Sequence, residues 1–314
     1  MIDHPKKIRI RDSTLREGLD TPRVSFSPEQ KLSIATLLDE ADVGEIEIVA
    51  PSRVLQDLEF ARRVRDEIPR LITSGLIYSY NPRAREEIKE ASESLHRFDI
   101  LMPVSERRQP FNRSTKLTLL AEVLAFSLSH HPEVGVGFPH STQTDLQFLL
   151  EISHRAVKEG ATRLTIYDTN GSADPFSVHA LVTRLRSEFE VAVFFHGHND
   201  LGLATANALA AVRGGAHGLD VTVNGLGDRA GNASLEQVVL ALHLGGFQTG
   251  VTLRNLKKMS EMVEKESGVP MSKLAPVVGE FILHHKSPSH LKDPDLFEAF
   301  DPEIVGMERM LDQP

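Results

Sequence analysis

Residues 163–202 read RLTIYDTNGSADPFSVHALVTRLRSEFEVAVFFHGHNDLG. Two short apolar runs, 163–168 and 191–196, flank one helix-length segment at 175–189. Asp174 stands just before that segment and Pro175 opens it, the order expected of an N-cap followed by proline in the first turn. A strand, a helix and a second strand in succession build a parallel sheet. The second run ends on His196 and His198. Side chains at i and i+2 of a strand share a face, so both imidazoles project together, with only Gly197 between them. Such a pair is either a set of metal ligands or two hydrogen-bonded core histidines. The spacing alone leaves both open.

The same alternation extends in both directions. Strand candidates are 7–11, 45–50, 71–77, 98–104, 134–138, 163–168, 191–196 and 219–223. Helical patterns follow at 27–41, 52–68, 115–131, 144–160, 175–189, 203–215 and 232–246. Ser27 is a natural N-cap with Pro28 behind it, and Gly160, Gly214 and Gly245 fall where helices should stop. Eight strand–helix cycles finishing near residue 246 fit an α/β fold of the (β/α)8 barrel type. A doubly wound open sheet would carry a glycine-rich phosphate loop after its first strand, and RDSTLREG (11–18) is not one. The expected division is a catalytic barrel over 1–250 and a short C-terminal extension over 251–314. One helix is expected at 252–266. The Pro- and His-rich remainder is too short for its own core, so it should lie against the barrel or a partner subunit.

Composition narrows the function. The 314 residues are 40% hydrophobic and 25% charged, with a net charge of −9. That balance offers no broad basic field for nucleic acid. No apolar run approaches the roughly 20 residues of a membrane span, and MIDHPKKIRIRD lacks a signal core. The absence of cysteine excludes disulfides, thiolate metal sites and a cysteine nucleophile, and fits a cytoplasmic protein.

A barrel carries its active site at the C-terminal ends of its strands. There the sequence gathers Asp12, Arg16 and Glu17 after strand one and Glu47 near the end of strand two. It adds Asp168, Thr169 and Asn170 after strand six, His196 and His198 on strand seven, and Asn224, Asp228, Arg229 and Asn232 after strand eight. Some of these are helix caps. Their convergence on one rim still favours the metal reading. Nitrogen and oxygen donors without sulfur suit Zn²⁺, Mn²⁺, Mg²⁺, Co²⁺ or Fe²⁺. Two histidines and a carboxylate also describe non-heme iron oxygenases, but those sites sit on antiparallel barrels.

At these residues the sequence resembles the metal-dependent Claisen-condensing barrels of the DRE-TIM metallolyase superfamily: homocitrate, 2-isopropylmalate and citramalate synthases and, more distantly, hydroxymethylglutaryl-CoA lyases. The resemblance rests on DSTLREG (12–18), HGHNDLGLATANALAA (196–211) and GLGDRAGNASLEQVV (225–239), and continues into PVVGEFILHHKSPSH (276–290). It implies that Glu17, His196 and His198 hold a divalent cation, with Asn232 an outer or weaker ligand. By the same resemblance Arg16 polarises a keto oxygen, Glu47 pairs with Arg16, Thr169 holds the carboxylate of a 2-oxo acid, and His290 is the acid/base. The implied substrates are a 2-oxo acid and an acyl-CoA, acetyl-CoA foremost, in a cytoplasmic homodimer. A metal-dependent aldolase or lyase working without CoA is the alternative, and a non-enzymatic barrel is disfavoured by the intact motif. The pattern is broken at several places. Leu19 and Asp20 replace a Glu-Gln pair. Pro139, His140 and Gln143 replace two acids and an arginine. IYSYNPRA (77–84) lacks the arginine often found there, and Phe297 replaces a tyrosine. The chain ends near the start of the family's next conserved segment, so no regulatory domain is expected.

Overall fold

The structure, a computed structural model, describes residues 7–50, 54–106 and 112–311, except for the side chain of Leu55. Eight strands alternate with eight helices: β1 (Arg9–Asp12), α1 (Pro28–Glu40), β2 (Glu45–Val49), α2 (Val54–Glu67), β3 (Ile72–Tyr78), α3 (Ala84–Ser94), β4 (Arg97–Leu101) and α4 (Arg113–Leu128) form the first half. β5 (Val134–Phe138), α5 (Leu146–Glu159), β6 (Arg163–Asp168), α6 (Pro175–Glu188), β7 (Ala192–Gly197), α7 (Ala204–Arg213), β8 (Gly218–Val221) and α8 (Leu235–Leu244) form the second. Each strand pairs in parallel with the next, and β8 returns to β1 with Arg11 opposite Asp220, closing a (β/α)8 barrel.

The capping signals act as the sequence suggests. Ser27 accepts from the backbone N–H of Gln30 while the Gln30 side chain returns to the Ser27 N–H, a complete capping box. Asp174 accepts from the N–H groups of Phe176 and Ser177. Gly160 ends α5 in the left-handed conformation that favours glycine, with φ of 106°. One helix, α3, was not among the expected ones. Its sequence AREEIKEASES is mostly polar, and its buried face mixes Ala84, Ile88 and Ala91 with Glu87 and Ser94.

The inside of the barrel departs from the usual packing of branched apolar side chains. Arg11, Glu45, Glu47, Asp99, Arg163, Thr165, His196 and Asp220 all point inward and are buried. Arg11 lies 2.7 Å from Asp220 and 3.0 Å from Asp99, and Arg163 lies 2.6 Å from Asp99. Phe194 plugs the axis below them, with the guanidiniums of Arg9, Arg11 and Arg163 4.9–5.4 Å from its ring centre. Glycines make the room. A Cβ on Gly135 would overlap the Asp99 carboxylate, and one on Gly218 would overlap the Phe194 ring.

Beyond the barrel, α9 (Leu256–Ser267) packs on α1. Val277, Val278 and Val305 join the barrel's apolar core, so this part of the extension leans on the barrel's flank. The Thr252 N–H bonds the carbonyl of Ala41, at the end of α1, and Gly306 sits against the carbonyl of Arg254. Both contacts lie on the face where β2 begins, opposite the C-terminal rim.

Gly135→Ala should therefore destabilise the protein by about 2 kcal/mol or more, because the added methyl strikes a buried ion pair that cannot yield. Gly44→Ala, where a Cβ meets open space, should change stability by no more than about 0.5 kcal/mol. Denaturant unfolding of both variants checks the pair; equal effects would disprove the tight interior.

Candidate metal centre and catalytic rim

β7 carries His196 and His198 to the rim on one face, as their spacing requires. The short 3-10 turn after β1 lifts Glu17 to meet them. Glu17, His196 and His198 form the one cluster of potential metal-ligating side chains found among the described residues, with ligand atoms all within 4.8 Å of one another. Nε2 of His198 is 3.6 Å from one Glu17 oxygen, and Nε2 of His196 is 3.9 Å from the other. All three residues are buried.

The surroundings fit a divalent cation. Nδ1 of His196 bonds Asp220 at 3.1 Å, a carboxylate behind the imidazole that fixes its orientation and directs Nε2 outward. Burial, reinforced by the neighbouring His196, lowers the His198 pKa to about 4. The ring is thus neutral at pH 7, the form a metal needs. Burial pushes the Glu17 carboxyl up, but Arg16, His196 and His198 outweigh it and hold the group below its ordinary pKa. Asp220 stays ionised for a related reason: the Arg11 guanidinium and the bond from His196 overcome its burial. In the connected ion network, five buried carboxylates (Glu17, Glu45, Glu47, Asp99, Asp220) face three buried guanidiniums (Arg11, Arg16, Arg163) and the half-buried Arg97, which pairs with Glu45. The net negative charge that remains favours a cation. Asn232 presents a buried Oδ1 with no hydrogen-bond partner among the described residues, and its backbone bridges that of His198. Leaving such an oxygen unpaired costs roughly 1–3 kcal/mol.

Arg16 lies beside this cluster. Its Nε is 2.6 Å from Glu47 Oε2 and its Nη2 2.5 Å from the same oxygen, while Nη1 contacts Glu17. Ser13 Oγ donates to that Glu47 oxygen at 3.0 Å. The fork is therefore clamped on two sides. Thr169 is half-buried after β6, and its Oγ1 accepts the His140 N–H at 2.8 Å. His140 itself has φ of 66°, and the Gln143 side chain bonds those of Ser172 and Asn170. The residues that break the family pattern after β5 thus lace the β5 and β6 loops together. Arg229 adds a third loop, bonding Asp200, Asp228 and the Thr169 carbonyl.

His290 is not brought into this constellation. Its ring stacks on Phe297 with centroids 3.9 Å apart, and its Nδ1 lies 3.3 Å from Nδ1 of His285. His285 in turn bonds Glu298 at 2.9 Å, and Glu298 pairs with Arg309. The physical reason is the anchoring of the extension on the flank and on the opposite face. Sequence reading also missed residues that matter. Arg11, Asp99 and Asp220 appear in the sequence as charges inside expected strands, each in phase with the inward face, and that phase was the available signal. Tyr167 is buried at the rim, its ring centre 4.7 Å from that of His196, and its hydroxyl has no partner among the described residues.

Residues 7–263 match the HMGL-like family model. The chain is 34% identical to 2-isopropylmalate synthase 2 of Caldanaerobacter subterraneus subsp. tengcongensis, over 98% of this chain and 81% of that protein. It is 35% identical to homocitrate synthase 1 of Nostoc sp., over 97% and 82%. It is 34% identical to the 2-isopropylmalate synthase of Listeria welshimeri, over 97% of this chain but 63% of that longer protein. Among solved structures, an HMG-CoA lyase from Bacillus subtilis superposes with a TM-score of 0.72 at 24% identity, covering 85% of this chain and 96% of that one. At that identity the likeness concerns the fold. No helix among the described residues is long and apolar enough to cross a membrane.

Replacing both His196 and His198 by Ala should abolish stoichiometric binding of Mn²⁺ or Zn²⁺, measured by equilibrium dialysis. Asp220→Asn should retain binding but weaken it about tenfold to a hundredfold. Full occupancy of the double variant would refute the assignment of the ligands.

Proposed function

The chain belongs to the HMGL-like family, and on that premise we propose that it is a cytoplasmic, divalent-metal-dependent enzyme condensing an acyl-CoA, acetyl-CoA foremost, with a 2-oxo acid. The observation that carries this reading is the buried Glu17–His196–His198 cluster with a clamped Arg16 beside it. A divalent metal bound there supplies Lewis acidity to a substrate carbonyl; Zn²⁺, Mn²⁺, Mg²⁺ and Co²⁺ all suit the donors. Glu17, His196 and His198 are its ligands in this reading, and Asn232 Oδ1 is the weaker one.

Arg16 donates to the keto oxygen and stabilises the negative charge that grows on it. Glu47 keeps the guanidinium from swinging away. The Thr169 hydroxyl, already accepting from His140, retains a proton to give to the substrate carboxylate. His290 removes a proton from the carbon next to the thioester carbonyl. The resulting enolate carbon attacks the keto carbon, one carbon–carbon bond forms, and the former keto oxygen gains a proton. Hydrolysis of the thioester then releases the CoA thiol and makes the sequence irreversible in practice.

In this reading His290 comes from a second copy of the chain, in keeping with contacts to His285 and Phe297 that hold it within the extension. Supporting this, the extension leaves apolar side chains in the open, among them Leu274, Leu296 and Phe297 at 79%, 73% and 45% exposure. A self-complementary dimer covers such side chains symmetrically.

Thiol release from acetyl-CoA with a panel of 2-oxo acids, with and without divalent metal, tests the reaction. Release should need both metal and 2-oxo acid. Cleavage of an adduct with no thiol release would favour an aldolase instead. Arg16→Lys should lower kcat/KM by about a hundredfold or more, since an ammonium cannot reproduce the clamped fork. Mixing inactive His290→Ala chains with inactive Glu17→Ala chains should restore part of the activity. No recovery in demonstrated heterodimers would confine the site to one chain.

A further inference from the structure

Tyr167 sits in the strand whose end was read only for Asp168, Thr169 and Asn170, and no role in the reaction above uses it. Its ring packs with Leu76 of β3 and Leu101 of β4 in a small apolar cluster separate from the main core, with Tyr78 against it. β5 contributes no side chain at this level. A Cβ on Gly137 would lie 2.7 Å from Leu101 Cδ2 and 2.9 Å from Tyr167 Cε2, so the tyrosine fills the space that β5 leaves. The other face of the ring meets His196, with centroids 4.7 Å apart and planes tilted by 32°. Tyr167 is 5% exposed, and its hydroxyl is buried without a hydrogen-bond partner among the described residues. A phenol is rarely left so beside charged groups. Here it is a donor standing next to the candidate metal centre.

We propose that Tyr167 is a substrate contact: its hydroxyl donates to the bound 2-oxo acid, and its ring, with Leu76, Leu101 and Tyr78, encloses the acid's side chain. The inference rests on the condensation reading for the reaction but not for the binding. The class of substrate follows from the wall. Leu76 and Leu101 are buried and apolar, and Gly135 and Gly137 bring no charge. The guanidiniums nearby are already engaged. Arg11 is held by Asp220 and Asp99, Arg16 by Glu47 and Glu17, and Arg229 by Asp200 and Asp228. A second carboxylate on the side chain would be stripped of water with no unengaged guanidinium nearby among the described residues to receive it. The site therefore takes a 2-oxo monocarboxylate with a short apolar side chain and rejects 2-oxo dicarboxylates. A hydroxyl that only the right substrate satisfies also discriminates strongly.

The test uses the full chain loaded with Mn²⁺ and five probes: pyruvate, 2-oxobutyrate, 2-oxoisovalerate, oxaloacetate and 2-oxoglutarate. Binding is read by calorimetry and turnover by thiol release from acetyl-CoA. The wild type should bind the monocarboxylates at least tenfold more tightly than the dicarboxylates. Tyr167→Phe keeps the ring and should weaken binding of the preferred acid about tenfold without changing the order of preference or the Mn²⁺ content. Tyr167→Ala should shift the preference toward 2-oxoisovalerate. If 2-oxoglutarate binds best, or Tyr167→Phe binds as the wild type does, the proposal is wrong whatever the turnover. If the monocarboxylates bind as expected and no thiol appears, the condensation reading fails while the role of Tyr167 stands. Thermal unfolding of each variant separates a lost contact from a lost fold.

Discussion

Arg11 is the fixed point of this molecule. It is completely buried on the barrel axis, and a guanidinium in that position must have every charge around it matched. Asp220 meets it through two oxygens at 2.7 and 2.8 Å, Asp99 through one at 3.0 Å, and Glu47 approaches to 3.6 Å. Each partner has a second task. Asp220 orients His196, Asp99 holds Arg163 and Thr165, and Glu47 clamps Arg16. One arginine below the rim thereby sets the direction of a metal ligand and of the guanidinium beside it. Removing it would leave three buried carboxylates short of a partner, a larger loss than any single bond suggests.

This arrangement explains why the interior is polar and where its glycines stand. A barrel filled with branched apolar residues packs well but cannot orient an imidazole. Here the axis is given to charges, and the apolar filling is concentrated in Phe194 beneath them and in Leu76, Leu101 and Tyr167 toward the rim. The large groups fit because Gly135, Gly137 and Gly218 contribute no side chain opposite them. Ion pairs in a dry interior are weak sources of stability but strong sources of geometry. The gain is in the placing of Glu17, His196 and His198, which a looser core would let drift.

The barrel was legible in the sequence because periodicity is a local property. Apolar runs and helix caps are written within a few residues, so each of the eight strands appears within a few residues of its expected place. The helix 84–94 escaped because its buried face has only three apolar residues, Ala84, Ile88 and Ala91, beside buried Glu87 and Ser94. The His-Gly-His spacing announced a shared face, and the barrel argument put Glu17 on the same rim, but its choice as the ligand over Asp12 came from the resemblance, since nothing local links residue 17 to residue 196. The interior network was harder still. Arg11 and Asp220 lie 209 positions apart. Each shows in the sequence only as a charge at an inward phase of an apolar strand. Reading that anomaly on four strands at once would have suggested an ionic core before any coordinates existed.

The extension follows the opposite strategy to the barrel. It has too little apolar material to fold around, yet it is tied by charges of its own: Arg309 grips Glu298 through two nitrogens, at 2.6 Å each, and contacts Asp295. Glu298 accepts from Nε2 of His285 at 2.9 Å. Nδ1 of His285 in turn lies 3.3 Å from Nδ1 of His290. The Phe297 ring stacked against it restricts the imidazole to one plane. The imidazole is thus held in one orientation by contacts within its own segment. In the proposed dimer, docking two chains would then have to supply position, because the orientation of the ring is already set within the segment that carries it.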